Sequence, residues 1–354
     1  MERSEPGVAL GAVAYADDVT VFVSSREEVG WLMSEVSRYS EASGSAINRD
    51  KCESLWLGRG DPTFALPDTL PVPQDTAKVL GIQFGRGDYP TQNWGGRLDD
   101  ATRKVAQWKG WSLTLRERVD LIKTYLLPLF IYVGSVCLLP ETLWTRITNL
   151  FFLMLWGNRL NLIRRDVTYR ARRQGGLGMI NPVVFLVNTF IKMNLNLWPP
   201  ERAPPWVVSC RGWFWPFFQE WKDGGRVKDL RTPHGHLPAY AALVLKVVRR
   251  WGLTCEEIRT LSRRNLDARV LLTHIQKPLT LKDCPGRDLE GGLLLLNSVR
   301  IPAKFWDLAW RCFHGRLYVR GNLKYRASDD RGCPREECGG SLESMEHFLL
   351  DCPF

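Results

Sequence analysis

The sequence predicts an α+β fold: a short β-containing N-terminal part, a mainly α-helical remainder, and a small metal-binding module at the end. Three observations carry this. Residues 12–23 (AVAYADDVTVFV) set β-branched and apolar runs on either side of Asp17 and Asp18, the pattern of a β-hairpin with a polar tip. From about Trp94 to Trp198, apolar residues recur at helical spacing. Near the end, Cys333, Cys338, His347 and Cys352 follow the spacing C-x4-C-x8-H-x4-C, a closed Cys₃His set that suits tetrahedral Zn²⁺.

Asp17 and Asp18 are expected as a two-residue acidic turn, with both arms anchored in a sheet. Two carboxylates this close repel each other unless a cation lies beside them, and Mg²⁺ favours oxygen ligands. A nucleotidyl-transfer site follows as one reading, and a solvated acidic turn as the other. After the hairpin, Val29, Leu32, Met33, Val36 and Tyr39 fall on one helical face. Ser25 and Glu28 are placed to cap the start of that helix, and Gly44 to end it. Ser54–Gly58 and Val79–Phe84 read as strands.

These residues resemble a known family. Tyr15-Ala16-Asp17-Asp18 is similar to the YADD box in the palm of reverse transcriptases. Ser43-Gly44-Ser45-Ala46-Ile47-Asn48, with Lys51 behind it, resembles the SGxxIN…K segment of the non-LTR, LINE-type retrotransposon enzymes. Val79-Leu80-Gly81-Ile82-Gln83-Phe84 resembles their primer-grip strand, with Val79 where an aromatic residue is usual. The resemblance implies that Asp17 and Asp18 are catalytic and bind Mg²⁺ in the intact parent, and that Lys51 lies near the incoming nucleotide. A lysine there otherwise reads as a surface charge. Two-metal phosphoryl transfer also needs a third carboxylate and a fingers region, and only 16 residues precede Asp17. The chain is therefore expected to be the back part of a polymerase, without an upstream endonuclease domain, and inactive alone.

Beyond the palm-like part, three helices are expected: Arg97–Trp111, Leu115–Leu139 with a kink at Pro128, and Glu141–Trp156. Residues 97–173 carry 14 Lys or Arg against 6 Asp or Glu. The excess culminates in Arg159, Arg164, Arg165, Arg170, Arg172 and Arg173, directly before Gln174-Gly175-Gly176-Leu177-Gly178. An Arg-rich stretch followed by GGLG closes the thumb region in the resembled family. Physically, cations along one face release counterions when they meet a phosphate backbone. A solvated basic face is the bland alternative.

Prolines at 199, 200, 204 and 205 mark a boundary, and the aromatic cluster from Trp206 to Trp221 reads as a small packed core rather than a base-stacking platform. Helices are expected at Tyr240–Trp251, Thr254–Leu266 and Ala303–Phe313. In the final module, Ser341 is placed to cap a short helix whose Leu342, Met345, Phe348 and Leu349 pack inward. LINE-type enzymes often end in such a knuckle, preceded by a Trp-rich helix and a His-Gly step like Trp306–Trp310 and His314-Gly315 here. The resulting division is a partial palm over 1–90, a thumb-like domain over 91–198, a connecting region over 199–300, and a helix with the zinc module over 301–354.

At 354 residues and 45% apolar content the chain can bury sizeable cores, and its formal charge of +10 points to a polyanionic partner. RNA, DNA and RNA–DNA hybrids are the expected partners. No secretory leader is visible, and the longest uncharged stretch, Thr124–Pro140, falls short of the roughly 20 residues that span a bilayer. An intracellular protein, nuclear or cytoplasmic and away from membranes, is expected, and its nine cysteines are read as reduced. Oligomeric state is left open. Two functions emerge: a C-terminal fragment of an RNA-directed DNA polymerase, or a non-catalytic nucleic-acid-binding protein that uses the basic region and the zinc knuckle.

Overall fold

Four short strands and a majority of helices make up the computed structural model of the protein, which describes residues 11–57, 66, 70–71, 74–108, 110–157, 163–195, 239–274, 291–292, 296, 298, 301–323 and 327–353. The fold is α+β, as the sequence predicts. The strands form two separate antiparallel hairpins. The chain divides into two compact units, each built from three stretches. One comprises Met1–Asp99, Val133–Pro140 and Phe190–Leu261, the other Asp100–Tyr132, Glu141–Thr189 and Ser262–Phe354. The Pro-rich boundary, the cluster from Trp206 to Trp221 and most of 275–300 lie outside the described residues.

In the first unit, β1 (Ala12–Tyr15) pairs with β2 (Asp18–Val21) in the register Ala12↔Val21 to Tyr15↔Asp18. The turn is therefore Ala16-Asp17, not Asp17-Asp18, and the positive φ of +52° falls on Ala16. Nor are the arms anchored in a larger sheet. Among the described residues β1 and β2 pair only with each other, and Val13, Tyr15, Val19 and Phe22 are exposed. The hydrophobic alternation specifies a half-buried sheet, yet no described strand covers either face.

Helix α1 (Arg26–Ser43) follows as expected. The Ser25 hydroxyl accepts from the Glu28 amide, the Glu28 carboxylate accepts from the Ser24 amide, and Gly44 closes the helix in the left-handed conformation at φ +70°. Residues 54–57 form no strand and make only an isolated bridge, Leu55↔Gln74. The second hairpin, β3 (Thr76–Val79) with β4 (Ile82–Gly85), turns through Leu80 and Gly81, both at positive φ. The Val79–Phe84 run is thus two strand ends and a turn rather than one strand.

The Asn93 side chain completes the open edge of β4, accepting from the Gln83 amide at 2.9 Å and donating to the Gln83 carbonyl at 2.8 Å. Asn93 belongs to α2 (Tyr89–Trp108), which Asp88 caps through the Thr91 amide and whose Trp94 and Leu98 are fully buried. The helix starts earlier than expected because Asp88-Tyr89-Pro90 is itself a start signal, with Pro in the first turn. The unit also holds α8 (Ala239–Arg250) and α9 (Cys255–Thr260), the latter with a full capping box between Thr254 and Glu257. The single helix expected over Thr254–Leu266 breaks at Leu261, and Ser262 caps a new one through the Asn265 amide.

In the second unit, α3 (Leu115–Leu121) starts at a Thr114/Glu117 capping box and widens into a π turn at Ile122–Leu126 before α4 (Pro128–Val136). The bend between the two segments is 44° and lies at the expected proline. Among the described residues no single helix is long and apolar enough to cross a bilayer, and Leu115, Val119, Ile122 and Leu126 are buried in the protein. Helix α5 (Trp144–Trp156) buries Ile147, Phe151 and Leu155 on one face, with Phe151 against Phe130 at 6.1 Å between ring centroids.

Further along, α6 (Arg165–Tyr169) runs into a 3₁₀ turn at Arg172–Gln174, and α7 (Pro182–Asn194) is capped by the buried Asn181 side chain. Helix α10 (Arg263–His274) follows, and then α11 (Ala303–Phe313), which has the predicted bounds. Its Trp306 and Trp310 are fully buried, stacked at 6.3 Å, and Trp156 stacks on Trp310 at 6.4 Å.

Candidate functional site

The Cys/His module is built from turns that only certain residues permit. Arg331–Cys333 runs antiparallel to Ser341–Glu343: the Cys333 amide donates to the Ser341 carbonyl at 2.7 Å and the Glu343 amide to the Arg331 carbonyl at 3.0 Å. Between them a 3₁₀ turn at Glu336–Cys338 delivers the second thiol, and Gly339 and Gly340 reverse the chain at φ +55° and +77°. A side chain at Gly332 would stand 2.9 Å from the Gly340 carbonyl oxygen, so the two strands of the knuckle approach closely only because Gly332 has none.

The last two donors come from a wide turn at His347–Asp351. Ser344, not Ser341, caps it through the His347 amide at 3.0 Å, and Cys352 closes it by donating to the His347 carbonyl at 2.7 Å. The Ser341 hydroxyl instead donates to the Cys338 carbonyl. Leu342, Phe348 and Leu349 are exposed rather than packed inward, since a knuckle of this size has no interior for them beyond its four donors.

The three Sγ atoms and a ring nitrogen of His347 all lie within 4.8 Å of one another. Cys338 Sγ and Cys352 Sγ are 3.8 Å apart. A tetrahedral zinc with Zn–S bonds of about 2.3 Å has S···S edges of about 3.8 Å, so the spacing matches a shared ion. The thiols are in no disulfide, and the buried Nε2 of His347 has no hydrogen-bond partner, an orphaned polar atom that calls for a partner such as an ion. The Arg335 amide is the main influence holding the Cys333 thiol down to about 7, with smaller contributions from the His347, Cys338 and Cys352 side chains. Desolvation, then the neighbouring thiols, pushes Cys338 up to about 12. A cluster that wants one thiolate and resists the next is the electrostatics of a site that a cation completes. The residues fit a metal ion such as zinc.

The other predicted residues are less convergent. Asp17 and Asp18 are exposed at the hairpin tip, and among the described residues no third His, Cys, Asp or Glu joins them. Two carboxylates alone offer too few ligands for a pair of Mg²⁺ ions. Lys51 is exposed in a 3₁₀ turn at Arg49–Lys51, and no hydrogen bond or ion pair links it to either aspartate.

The arginines divide. Arg164 grips Asp166 through two hydrogen bonds of 3.1 and 2.8 Å. Arg165 bonds Asn149 and lies over the Phe152 ring. Arg170 is half-buried, Arg173 is exposed, and Arg172 sits 3.8 Å from Asp120.

The backbone of Arg172 leads into a glycine turn, where the Gly175 amide donates to the Arg172 carbonyl at 3.0 Å. Gly175 takes the left-handed conformation, and its carbonyl oxygen accepts from Trp310 Nε1 at 2.9 Å and lies 2.7 Å from His314 Nε2. A side chain at Gly176 would collide with the Arg170 carbonyl oxygen at 2.1 Å, and the Gly178 amide donates to that same oxygen at 2.7 Å. Arg116, Lys123 and Arg264 lie near enough to interact electrostatically with Arg172 or with one another. Sequence reasoning passed over these three. Two of them, Arg116 and Lys123, are spaced by two helical turns, the one signal that pointed to a shared face.

No protein-family model matches the chain, and no curated protein matches it.

Proposed function

We propose that the chain is the C-terminal part of a LINE-type reverse transcriptase, and that the 354-residue polypeptide holds nucleic acid through its basic helical region without polymerising it. One observation carries the reading. The GGLG turn and the Trp/His-Gly segment, each matched separately to the family, meet in space: Trp310 and His314 both reach the Gly175 carbonyl oxygen across 135 and 139 residues of sequence. Segments that serve one architecture are expected to contact each other, and chance matches are not.

The order of the matched segments supports the same reading: the YADD hairpin, the SGxxIN helix end, the Leu-Gly turn, the arginine-rich stretch and the Cys₃His knuckle. Zinc is the ion proposed for the knuckle, and RNA, DNA or their hybrid the partner. Asp17 and Asp18 would join further carboxylates in the complete polymerase.

The second reading, a nucleic-acid-binding protein with no polymerase role at all, is favoured by the missing third ligand beside Asp17 and Asp18 among the described residues. Primer extension on an RNA template with Mg²⁺ or Mn²⁺ tests the proposal. No synthesis above an Asp17→Asn control is expected, together with salt-dependent binding of the same primer–template. Synthesis that Asp17→Asn abolishes would overturn the claim of inactivity, and absence of binding would overturn both readings.

A further inference from the structure

The junction between the end of α2 and the loop that follows carries exposed aromatic residues that no core accounts for. Trp108, the last residue of α2, meets Tyr125 of the π turn Ile122–Leu126 edge-on, with 6.3 Å between ring centroids. Trp111 follows in the loop, where its amide donates to the Trp108 carbonyl at 3.1 Å. Trp111 is 52% and Tyr125 59% exposed, whereas Ile122 and Leu126 of the same turn are fully buried. Rings this large left in water forgo the burial that would otherwise explain them.

The backbone that bears Trp111 is held firmly. The Leu113 amide donates to the Trp111 carbonyl at 3.0 Å, and the Arg118 guanidinium ties the loop down by donating to three carbonyls: Nε to Leu113 at 3.1 Å, Nη1 to Met154 at 3.0 Å and Nη2 to Trp111 at 3.4 Å. An exposed indole on a loop already ordered in this way loses little further freedom when a partner binds.

Charge selects the partner. The junction lies within residues 97–173, where 14 Lys or Arg stand against 6 Asp or Glu, and Lys104 is exposed one helical turn before Trp108. The nearby carboxylates are engaged: Asp100 with Arg103, Glu117 with the Thr114 amide and hydroxyl, and Asp120 within 3.8 Å of Arg172. Aromatic rings in a basic setting suit a ligand with flat apolar faces on an anionic backbone, because every nucleobase offers a face that stacks while nearby cations meet the phosphates. We propose that Trp111 and Tyr125, with Trp108 bracing Tyr125, form a stacking platform for the unpaired bases of a single-stranded nucleic acid. The proposal rests on the nucleic-acid-binding reading above and deepens it, since it adds a contact to bases that the arginines do not make.

The test uses the full chain with a short fluorescent single strand, as RNA and as DNA, and with a blunt duplex of the same sequence, affinity being followed by anisotropy across a salt series. Trp111→Ala and Tyr125→Ala should each weaken single-strand binding about 5- to 150-fold and leave the slope of log affinity against log salt unchanged, because neither removes a charge. RNA and DNA should lose alike, since stacking does not read the 2′-hydroxyl. Duplex affinity should barely change, its bases being stacked on one another already. Trp111→Phe and Tyr125→Phe keep a ring and should retain most of the affinity. Trp31→Ala, which removes a likewise exposed tryptophan from the other unit, should change nothing.

Single-strand binding that survives both Ala variants undiminished would overturn the platform and leave the functional proposal standing; if those variants instead abolish self-association in sedimentation, the rings serve a second copy of the chain. Equal losses on single strand and duplex would also overturn it, by showing that the rings support the fold rather than stack on bases. Failure of strand and duplex alike to bind the unmodified chain would overturn the nucleic-acid reading and the platform with it.

Discussion

His314 stands with Nε2 2.7 Å from the carbonyl oxygen of Gly175. Because the carbonyl can only accept, Nε2 carries the proton, and the imidazole is fixed as a donor beneath the glycine turn. Trp310, one turn earlier on α11, donates to the same oxygen at 2.9 Å and packs edge-on against the His314 ring at 4.8 Å. The end of α11 is thereby joined to the turn that carries Arg172. His314→Phe should cost about 1 kcal/mol, since Trp310 still satisfies the carbonyl. Trp310→Phe should cost more, about 2–3 kcal/mol, because it also opens space in the stack with Trp156 and Trp306. Together they orphan a buried carbonyl, so the double variant should lose more than the sum of the singles in denaturant unfolding. Simple additivity would mean that the two side chains act independently.

Asp267 predicts a pH dependence. It is held by Asn188 Nδ2 at 2.8 Å and by Arg263 at 2.6 Å, and yet burial outweighs both partners and raises its pKa from 3.8 to about 6. The folded state then binds the proton more tightly than the unfolded chain does. Asp267 therefore contributes stability that is full below about pH 4 and is lost as pH rises through about 6, on the order of 3 kcal/mol. Asp267→Asn should remove this slope between about pH 4 and 6, leaving the rest of the pH profile in place. A wild-type minus variant difference that is flat across that window would show that Asp267 is ionised throughout.

The second hairpin carries a correctable local defect. Leu80 occupies the first turn position of β3–β4 at φ +47°, ahead of Gly81 at φ +80°, where Asn-Gly is the favoured pair. Leu80 is substantially exposed, so little burial is lost by changing it. Leu80→Asn should stabilise the hairpin by about 0.5–1 kcal/mol. Slower amide exchange at Ile82, which pairs with Val79 across the turn, would report this, and faster exchange would show that Leu80 contributes packing that outweighs its strain.

Periodicity exposed the helices well because burial on one face is a local property of the chain. Ala303–Phe313 has its predicted bounds, and Ser25 and Gly44 terminate α1 as their chemistry requires. What was hidden depends on competition between neighbours. Leu80-Gly81 sits within an apolar run, so a turn there reads as strand, and Ser262 outcompetes the continuation of a helix whose periodicity does not change. The Asp17-Asp18 turn was misplaced by one residue because Ala16 carries the positive φ that Asp would tolerate better. The Cys₃His donors were legible from spacing alone, whereas the charges around Lys123 were not, since Arg172 and Arg264 reach it from distant segments.

The knuckle supplies the last prediction. Its described residues bury little apolar surface, with Leu342, Phe348, Leu349 and Leu350 all exposed, so packing contributes little to its order. Metal binding must then supply the folding free energy, as it does in small metal-dependent modules. One zinc per chain is expected, and Co²⁺ in its place should give the intense visible absorption of a tetrahedral thiolate site. Chelation should release residues 327–353 from order while leaving the Trp306–Trp310 stack intact. Cys338→Ser removes a ligand whose Sγ is 3.8 Å from that of Cys352 and should give the same result as the chelator. Lowering the pH should eject the metal as protons compete for the thiolates. Zinc retained at full occupancy by Cys338→Ser, or a knuckle that stays ordered under chelation, would show that the hydrogen bonds of Cys333 to Ser341 and of Glu343 to Arg331 suffice to fold it.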